Sequence, residues 1–208
     1  MNENNVTKNS ENDVLLKGII VHKFVTPKIA ILTINTGNST PVPNYPKILF
    51  FGDLREKVEK EFEVRDHVTI TGNLQSSKPK ENVKNQNMQS IFGESICETQ
   101  SAIEDAFGVE GKPSRKEFVN TFKVAGEVMS ISYSSPNLVH VTIKTLKNNR
   151  PSFVRFDYYV KQPEDILTLI KPRDFVYGVG CVQTNRRQNS RGETVYYENY
   201  VLSDIAKA

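Results

Sequence analysis

The stretch Lys47–Ser76, KILFFGDLREKVEKEFEVRDHVTITGNLQS, decides the fold. It opens on β-formers, Lys47 to Phe51, that Gly52 ends. Asp53 is placed to accept the free N–H groups of a helix start. Leu54, Val58 and Phe62 then recur every fourth residue and draw one apolar stripe along a charged helix of about three turns. From His67 the period falls to two. Val68, Ile70 and Leu74 share one face, and Thr69, Thr71 and Asn73 share the other. Gly72 in the middle of that strand marks a bulge or tight bend, as the corner of a small barrel requires.

The same order recurs downstream. Val154–Val160 reads as a second aromatic strand, Pro163–Ile170 as a second short helix and Asp174–Thr184 as a second bent strand. Gly18 and Gly126, Asp66 and Asp174, Gly72 and Gly180, and Gln75 and Gln183 are each 108 residues apart. Equal spacing over these anchors identifies a tandem repeat. The expected fold is all-β with short helices, built as two five-stranded barrels in tandem. The boundaries are a disordered tail over 1–13, a first barrel over 14–100, a linker over 101–117 and a second barrel over 118–208. The first barrel takes its strands from Val14–Lys23, Ile29–Asn35, Lys47–Phe51, His67–Leu74 and Ser90–Thr99. The second takes them from Phe118–Ser132, Leu138–Thr145, Phe153–Val160, Phe175–Asn185 and Thr194–Ser203. Ser76–Gln89 and Asn185–Glu193 read as polar hairpin loops.

At Phe51-Gly52-Asp53-Leu54-Arg55-Glu56-Lys57-Val58 and Arg65–Gln75 the chain resembles the bacterial and phage single-stranded DNA-binding proteins, which have the oligonucleotide-binding (OB) fold. Gly180–Arg187, then Gly192 and Tyr196, run without gaps against that family's last hairpin. The resemblance covers 14–99 and 121–205. It implies two OB barrels and binding of single-stranded DNA. Family members usually assemble four barrels; a tandem chain reaches that number as a homodimer or keeps two barrels as a monomer, and the sequence does not decide between them. The family's acidic, partner-recruiting tail has no counterpart before Ala208, so a role as a hub for repair or replication proteins is not expected.

Composition agrees with a protein free in the cytoplasm. Hydrophobic content is 38% and charged content 25%, with no apolar run near the roughly 20 residues of a membrane span and no signal-like opening. Charge is uneven. Residues 1–110 hold 12 Lys+Arg against 15 Asp+Glu, net −3, and residues 111–208 hold 15 against 9, net +6. The basic second half suits a polyanion and is expected to bind by itself more strongly than the first. Cys97 and Cys181 read as buried, reduced thiols. His22, His67 and His140 are isolated, and no phosphate loop, zinc motif or nucleophile elbow occurs. The reading is a binding protein with no cofactor and no catalytic site.

Binding single strands without sequence choice takes aromatic faces for bases and cations for phosphates. Strand parity locates both. Tyr45, Lys47 and Phe51 share one face of their strand, and Phe153, Arg155 and Tyr159 share the matching face of theirs. The opposite faces, Pro46-Ile48-Phe50 and Val154-Phe156-Tyr158, are apolar and read as core. In the family the matching odd positions carry base-stacking aromatics and a phosphate-contacting basic residue, and the resemblance transfers those roles to these six residues. An aromatic such as Phe51 or Tyr159 equally suits a plug at the barrel end. Asp157 lies on the same face and opposes phosphate. Lys78 and Lys80 in the first loop, with Arg186, Arg187 and Arg191 in the second, complete the candidate set. Tyr196 and Tyr200 are expected to face inward together. Stacking does not distinguish the sugar, so RNA fits the same chemistry. The competing reading is an OB-fold adaptor of the primosome or conjugation-accessory type. An Asn-, Lys- and Ile-rich, tail-less tandem chain points to a phage or mobile element working in DNA replication, recombination or transfer.

Overall fold

The computed structural model describes residues 9–37, 43–77, 88–99, 118–148, 150–161, 166, 168–188 and 192–208. Among these residues ten strands and one full helix follow in chain order: β1 (Glu11–Val25), β2 (Ala30–Asn35), β3 (Lys47–Phe50), α1 (Gly52–Glu61), β4 (His67–Ser77), β5 (Met88–Glu98), β6 (Val119–Ser135), β7 (Leu138–Lys147), β8 (Arg150–Tyr159), β9 (Phe175–Gln188) and β10 (Thr194–Lys207). The fold is all-β. One ten-stranded sheet runs β2-β3-β5-β4-β1-β6-β7-β8-β10-β9, and the extra pairings β1–β2 and β6–β9 close each half into a five-stranded ring. In each ring one parallel pair, β3–β5 or β8–β10, completes the closure.

The spacing read from the sequence reappears in the hydrogen-bonded register. On β1–β4, Val14 faces Gly72 and Gly18 faces Val68. On β6–β9, Phe122 faces Gly180 and Gly126 faces Val176, each 108 residues on. Both first strands carry a bulge at the same place, between Ile20 and His22 and between Val128 and Ser130. The turn before each bent strand also matches. Arg65 donates its N–H to Ile20 O and Arg173 donates its N–H to Val128 O, both Arg residues at positive φ (88° and 74°). The adjacent carboxylates of Asp66 and Asp174 accept the N–H groups of Glu63 (2.6 Å) and Lys171 (2.8 Å). The Lys207 ammonium, 2.6 Å from Asp174, holds that carboxyl below the usual range.

Each ring is filled from its inner faces. Leu16, Ile20, Leu32, Ile34, Ile48, Phe50, Val68 and Ile70 are buried in the first, and Phe122, Val124, Val141, Ile143, Val154, Phe156 and Tyr200 in the second. Helix α1 turns its stripe onto the first ring, with Val58 and Phe62 buried and Leu54 half-buried. It starts at Gly52 rather than at an Asp53 cap. The preceding Phe51 makes no side-chain cap bond, and Asp53 sits inside the first turn, where its charge still favours the helix N-terminus. Lys23 closes the other end, its Nζ donating to the carbonyls of Glu59 (2.9 Å) and Phe62 (2.6 Å). The second helix falls largely outside the described residues. What is described is a bond from Ile170 N–H to Ile166 O at 2.8 Å, with both side chains buried.

Gly72 makes the bulge its position predicts: the β4–β5 register shifts between Thr71 and Gly72. A Cβ there would press into the Phe92 carbonyl oxygen, and one at Gly180 into the Val201 carbonyl. Gly72→Ala should therefore force two paired strands apart and destabilise by about 1–3 kcal/mol. A chemical-denaturation midpoint equal to the parent's would show that the strands give way freely.

Several boundaries move for one reason: strands continue wherever a partner strand receives them. β1 begins at Glu11, three residues before Val14, because Glu11–Lys17 pair antiparallel with Val119–Ala125 of β6. The polar run Glu11-Asn12-Asp13 is thus strand, not tail. This pairing is symmetric about Val14 and Phe122, which face one another and are repeat equivalents. The two first strands meet like the halves of a two-fold interface inside one chain. β4 and β5 likewise run on to the pair Ser77–Met88, and β9 and β10 to Gln188–Thr194, so both hairpins are longer than expected and their loops shorter. The linker over 101–117 lies outside the described residues.

Two asparagines, Asn12 buried and Asn120 half-buried, lock the junction. Asn12 accepts the Leu74 N–H on Oδ1 (2.8 Å) and donates Nδ2 to Leu74 O (2.7 Å) and to Thr145 Oγ1 of the other ring (3.0 Å). Asn120 accepts the Val182 N–H (2.9 Å) and donates to Val182 O (2.7 Å) and to Thr36 Oγ1 of the other ring (3.2 Å). Asn12 and Asn120, and Leu74 and Val182, again stand 108 apart.

Candidate nucleic-acid interface

The pleat of β3 and β8 sorts their side chains as parity requires. Pro46, Ile48 and Phe50 point inward and are buried, as are Val154 and Phe156, with Tyr158 half-buried. The odd positions turn out. Lys47 and Arg155 are exposed, and Tyr45 is half-buried. Phe51, Phe153 and Tyr159 are 45%, 42% and 57% exposed, so neither Phe51 nor Tyr159 plugs a barrel end. The Phe51 ring lies 5.1 Å from that of Phe92 on β5, a second aromatic on the first face that the sequence reading does not single out.

β7 widens the second face. Its outward residues Leu138, His140, Thr142 and Lys144 stand opposite Tyr159, Asp157, Arg155 and Phe153. Asp157, expected to oppose phosphate here, is instead 6% exposed, with Oδ1 2.7 Å from His140 Nδ1. Its charge lies beneath the face and against the imidazole. Lys144, opposite Phe153, supplies a cation that parity on β8 alone does not reveal.

The structure also shows where each face ends. The N–H groups of β3 are received by the hairpin of the other barrel. Tyr45 N–H donates to Thr184 Oγ1 on β9 (2.9 Å), Thr184 N–H returns a bond to Asn44 Oδ1 (3.1 Å), and Lys47 N–H donates to Glu198 Oε1 on β10 (2.7 Å). The reciprocal set joins β8 to the first hairpin. Phe153 N–H donates to Ser76 Oγ (2.9 Å), Ser76 N–H donates to Ser152 Oγ (3.0 Å), and Arg155 N–H donates to Gln89 Oε1, while Gln89 Nε2 donates to Arg155 O (3.1 Å). Side chains here do what a neighbouring strand would do, satisfying exposed edge groups. Each aromatic–cation row therefore borders the hairpin of the opposite half, and the two rows are composite faces built from both halves.

The basic hairpin residues are divided. Arg186 is exposed, and it and Arg187 belong to β9, paired with Tyr196 and Val195, instead of the loop assigned to them. The alternation that carries β9 through Thr184 simply continues. Arg191, Lys78 and Lys80 lie outside the described residues, as does the side chain of Arg187. Tyr196 shares parity with buried Tyr200 but is 55% exposed, because the hairpin there has run past the barrel wall. Cys97 is exposed, on the outward parity of β5 beside buried Ile96, and Cys181 is half-buried; neither is in a disulfide.

One carboxyl at this junction departs from its ordinary behaviour. Burial pushes Glu198 up to about 7, against the opposing pull of the Lys47 N–H and the Lys47 charge. Among the described residues no cluster of three or more His, Cys, Asp or Glu is placed to hold a metal ion. No helix there is long and apolar enough to cross a membrane.

No protein-family model matches the sequence, and no curated protein matches it. Solved structures do. A deletion variant of the single-stranded DNA binding protein from Thermus aquaticus superposes with a TM-score of 0.66 at 14% identity, covering 96% of this chain and 95% of that one. The wild-type protein from the same organism gives 0.63 at 15% identity, with 96% and 94% covered. The fold of this chain is that OB fold, matched along nearly the whole length of both proteins.

Proposed function

We propose that this protein binds single-stranded DNA, largely without sequence preference, as two OB barrels in tandem divided near 14–100 and 118–208. The observation that carries the reading is the pair of outward rows, Tyr45-Lys47-Phe51 and Phe153-Arg155-Tyr159, each set against the opposite hairpin. Exposed rings offer faces to bases, and the cations between them offer charge to phosphates. The likeness in fold to proteins named for single-stranded DNA binding supports the same assignment. We assign no reaction to the chain. The biological setting we favour is protection of single strands during replication, recombination or transfer.

The deciding experiment compares oligo-dT with duplex DNA of equal length in a titration read by fluorescence anisotropy. Oligo-dT should bind more tightly, with an affinity that falls steeply with salt. Equal binding to duplex, or a flat salt dependence, would favour the adaptor reading instead. Replacing Arg186, Arg187 and Arg191 together by Ala should flatten the log–log salt slope by up to about 2, since each phosphate contact on a single strand contributes about 0.7. A slope equal to the parent's would remove that hairpin from the phosphate path.

A further inference from the structure

The two junctions that seat the candidate faces are built alike but not of the same side chain. Gln89 on β5 and Glu198 on β10 occupy equivalent places. Gln89 faces Ser76 and Glu198 faces Thr184 across their hairpins, and Ser76 and Thr184 are 108 residues apart. Each receives an N–H from the central cation-bearing residue of the opposite face, Arg155 or Lys47. An amide can accept and donate at once, and Gln89 does both, holding the N–H and the carbonyl of Arg155. An ionised carboxylate can only accept. Glu198 accordingly receives the Lys47 N–H, with no donor of its own to offer the Lys47 carbonyl.

We propose that Glu198 is a proton-dependent positioning residue for the first face, while Gln89 holds the second face whatever the pH. The proposal rests on the single-stranded DNA reading for its effect on affinity, but not for the junction itself. Protonation gives Glu198 the second bond that Gln89 already has, and so ties β3 to the β9–β10 hairpin at two points instead of one. It also removes a negative charge from beside Lys47, where a phosphate would pass. Both effects strengthen binding at low pH, and both are lost as pH rises through neutrality, the range to which burial has moved this carboxyl. Among the described residues the groups facing Glu198 are few. Lys47 on β3 is the cation. The cross-strand Thr184 on β9 brings no charge. On its own strand the Tyr200 phenol, raised by burial and by the Glu198 charge, stays neutral throughout.

The test uses the full chain, short oligo-dT and constant ionic strength. Between about pH 6 and about pH 8.5 the parent should lose about fivefold in affinity, the effect of one charge several ångströms from a phosphate in water-like surroundings. Glu198→Gln should lose less and keep the low-pH affinity, and any pH dependence common to both proteins cancels in the comparison. Gln89→Glu should add a second pH-dependent step. Identical profiles for the parent and Glu198→Gln would overturn the proposal. If the parent binds no oligo-dT at any pH, the single-stranded DNA reading fails, and the junction is then judged by the Lys47 amide resonance. A shift of that resonance with a midpoint near neutrality in the parent, absent in Glu198→Gln, supports the proposal; a resonance that does not move in the parent overturns it.

Discussion

Replacing Tyr45 and Phe51 together by Ala should weaken binding of oligo-dT by roughly 2–4 kcal/mol, and so should replacing Phe153 and Tyr159, because each pair is read as stacking two bases at about 1–3 kcal/mol apiece. At 1.4 kcal/mol per tenfold change this is a loss of about 30- to 700-fold. The expectation rests on exposure. Phe51, Phe153 and Tyr159 present 42–57% of their surface, so truncating them removes little packing, and the variants should unfold near the parent's midpoint. Tyr45 is half-buried and is the member whose loss also costs packing. Lys47→Ala and Arg155→Ala separate the stacking term from the phosphate term, since each should lower the salt slope by about 0.7 while leaving stacking in place. A folded Phe153→Ala, Tyr159→Ala double variant with the parent's affinity would sink the stacking model for that face. Phe51 also meets Phe92, so Phe92→Ala should reproduce part of the Phe51 effect by loosening the ring that braces it.

The parts of this molecule legible in the sequence are those with a short period. Two-residue alternation along Tyr45–Phe51 and Phe153–Tyr159 is enough to sort inner from outer side chains, because a strand offers only two directions. Gly72 and Gly180 are legible because close backbone approach leaves no room for a Cβ. What escapes is everything that depends on a partner far away in sequence. Glu11-Asn12-Asp13 reads as tail because nothing local favours a strand there; β6, more than a hundred residues on, receives it. Asn12 carries no signal of burial, since its partner Thr145 is 133 residues distant. The same limit hides the composite faces. Gln89 and Glu198 look like ordinary polar hairpin residues until the opposite strand is seen to end on them. Arg186 and Arg187 were assignable to a loop only because strand ends are set by the partner strand, and β10 carries the pairing on to Thr194.

The largest expected loss of stability follows from the two asparagines. Asn12→Ala would strand the Leu74 N–H and the Thr145 hydroxyl in the interior, where Asn12 is 1% exposed and Thr145 fully buried, while the Leu74 carbonyl keeps the Ser152 hydroxyl at 3.3 Å. A buried polar group left without a partner costs about 1–3 kcal/mol, and entry of water recovers part of it, so for the two groups a net loss of about 2–4 kcal/mol is expected. In a chain of this length that lowers the melting temperature by about 10 °C. Asn120→Ala should cost less, because Asn120 is only half-buried. Asn12→Asp is the sharper probe. It preserves the acceptor for Leu74 N–H but faces Leu74 O with a carboxylate, so its stability should fall as pH rises through the carboxyl's titration, whereas Asn12→Ala shows no such dependence. Because both amides reach across β1–β6 to a threonine of the other barrel, their loss also loosens the relative seating of the two barrels. Lys47 and Arg155 hang on that seating through Glu198 and Gln89. Affinity for oligo-dT should therefore fall in Asn12→Ala even well below its melting temperature; a variant that is less stable yet binds as the parent does would show that the two composite faces do not depend on how the barrels meet.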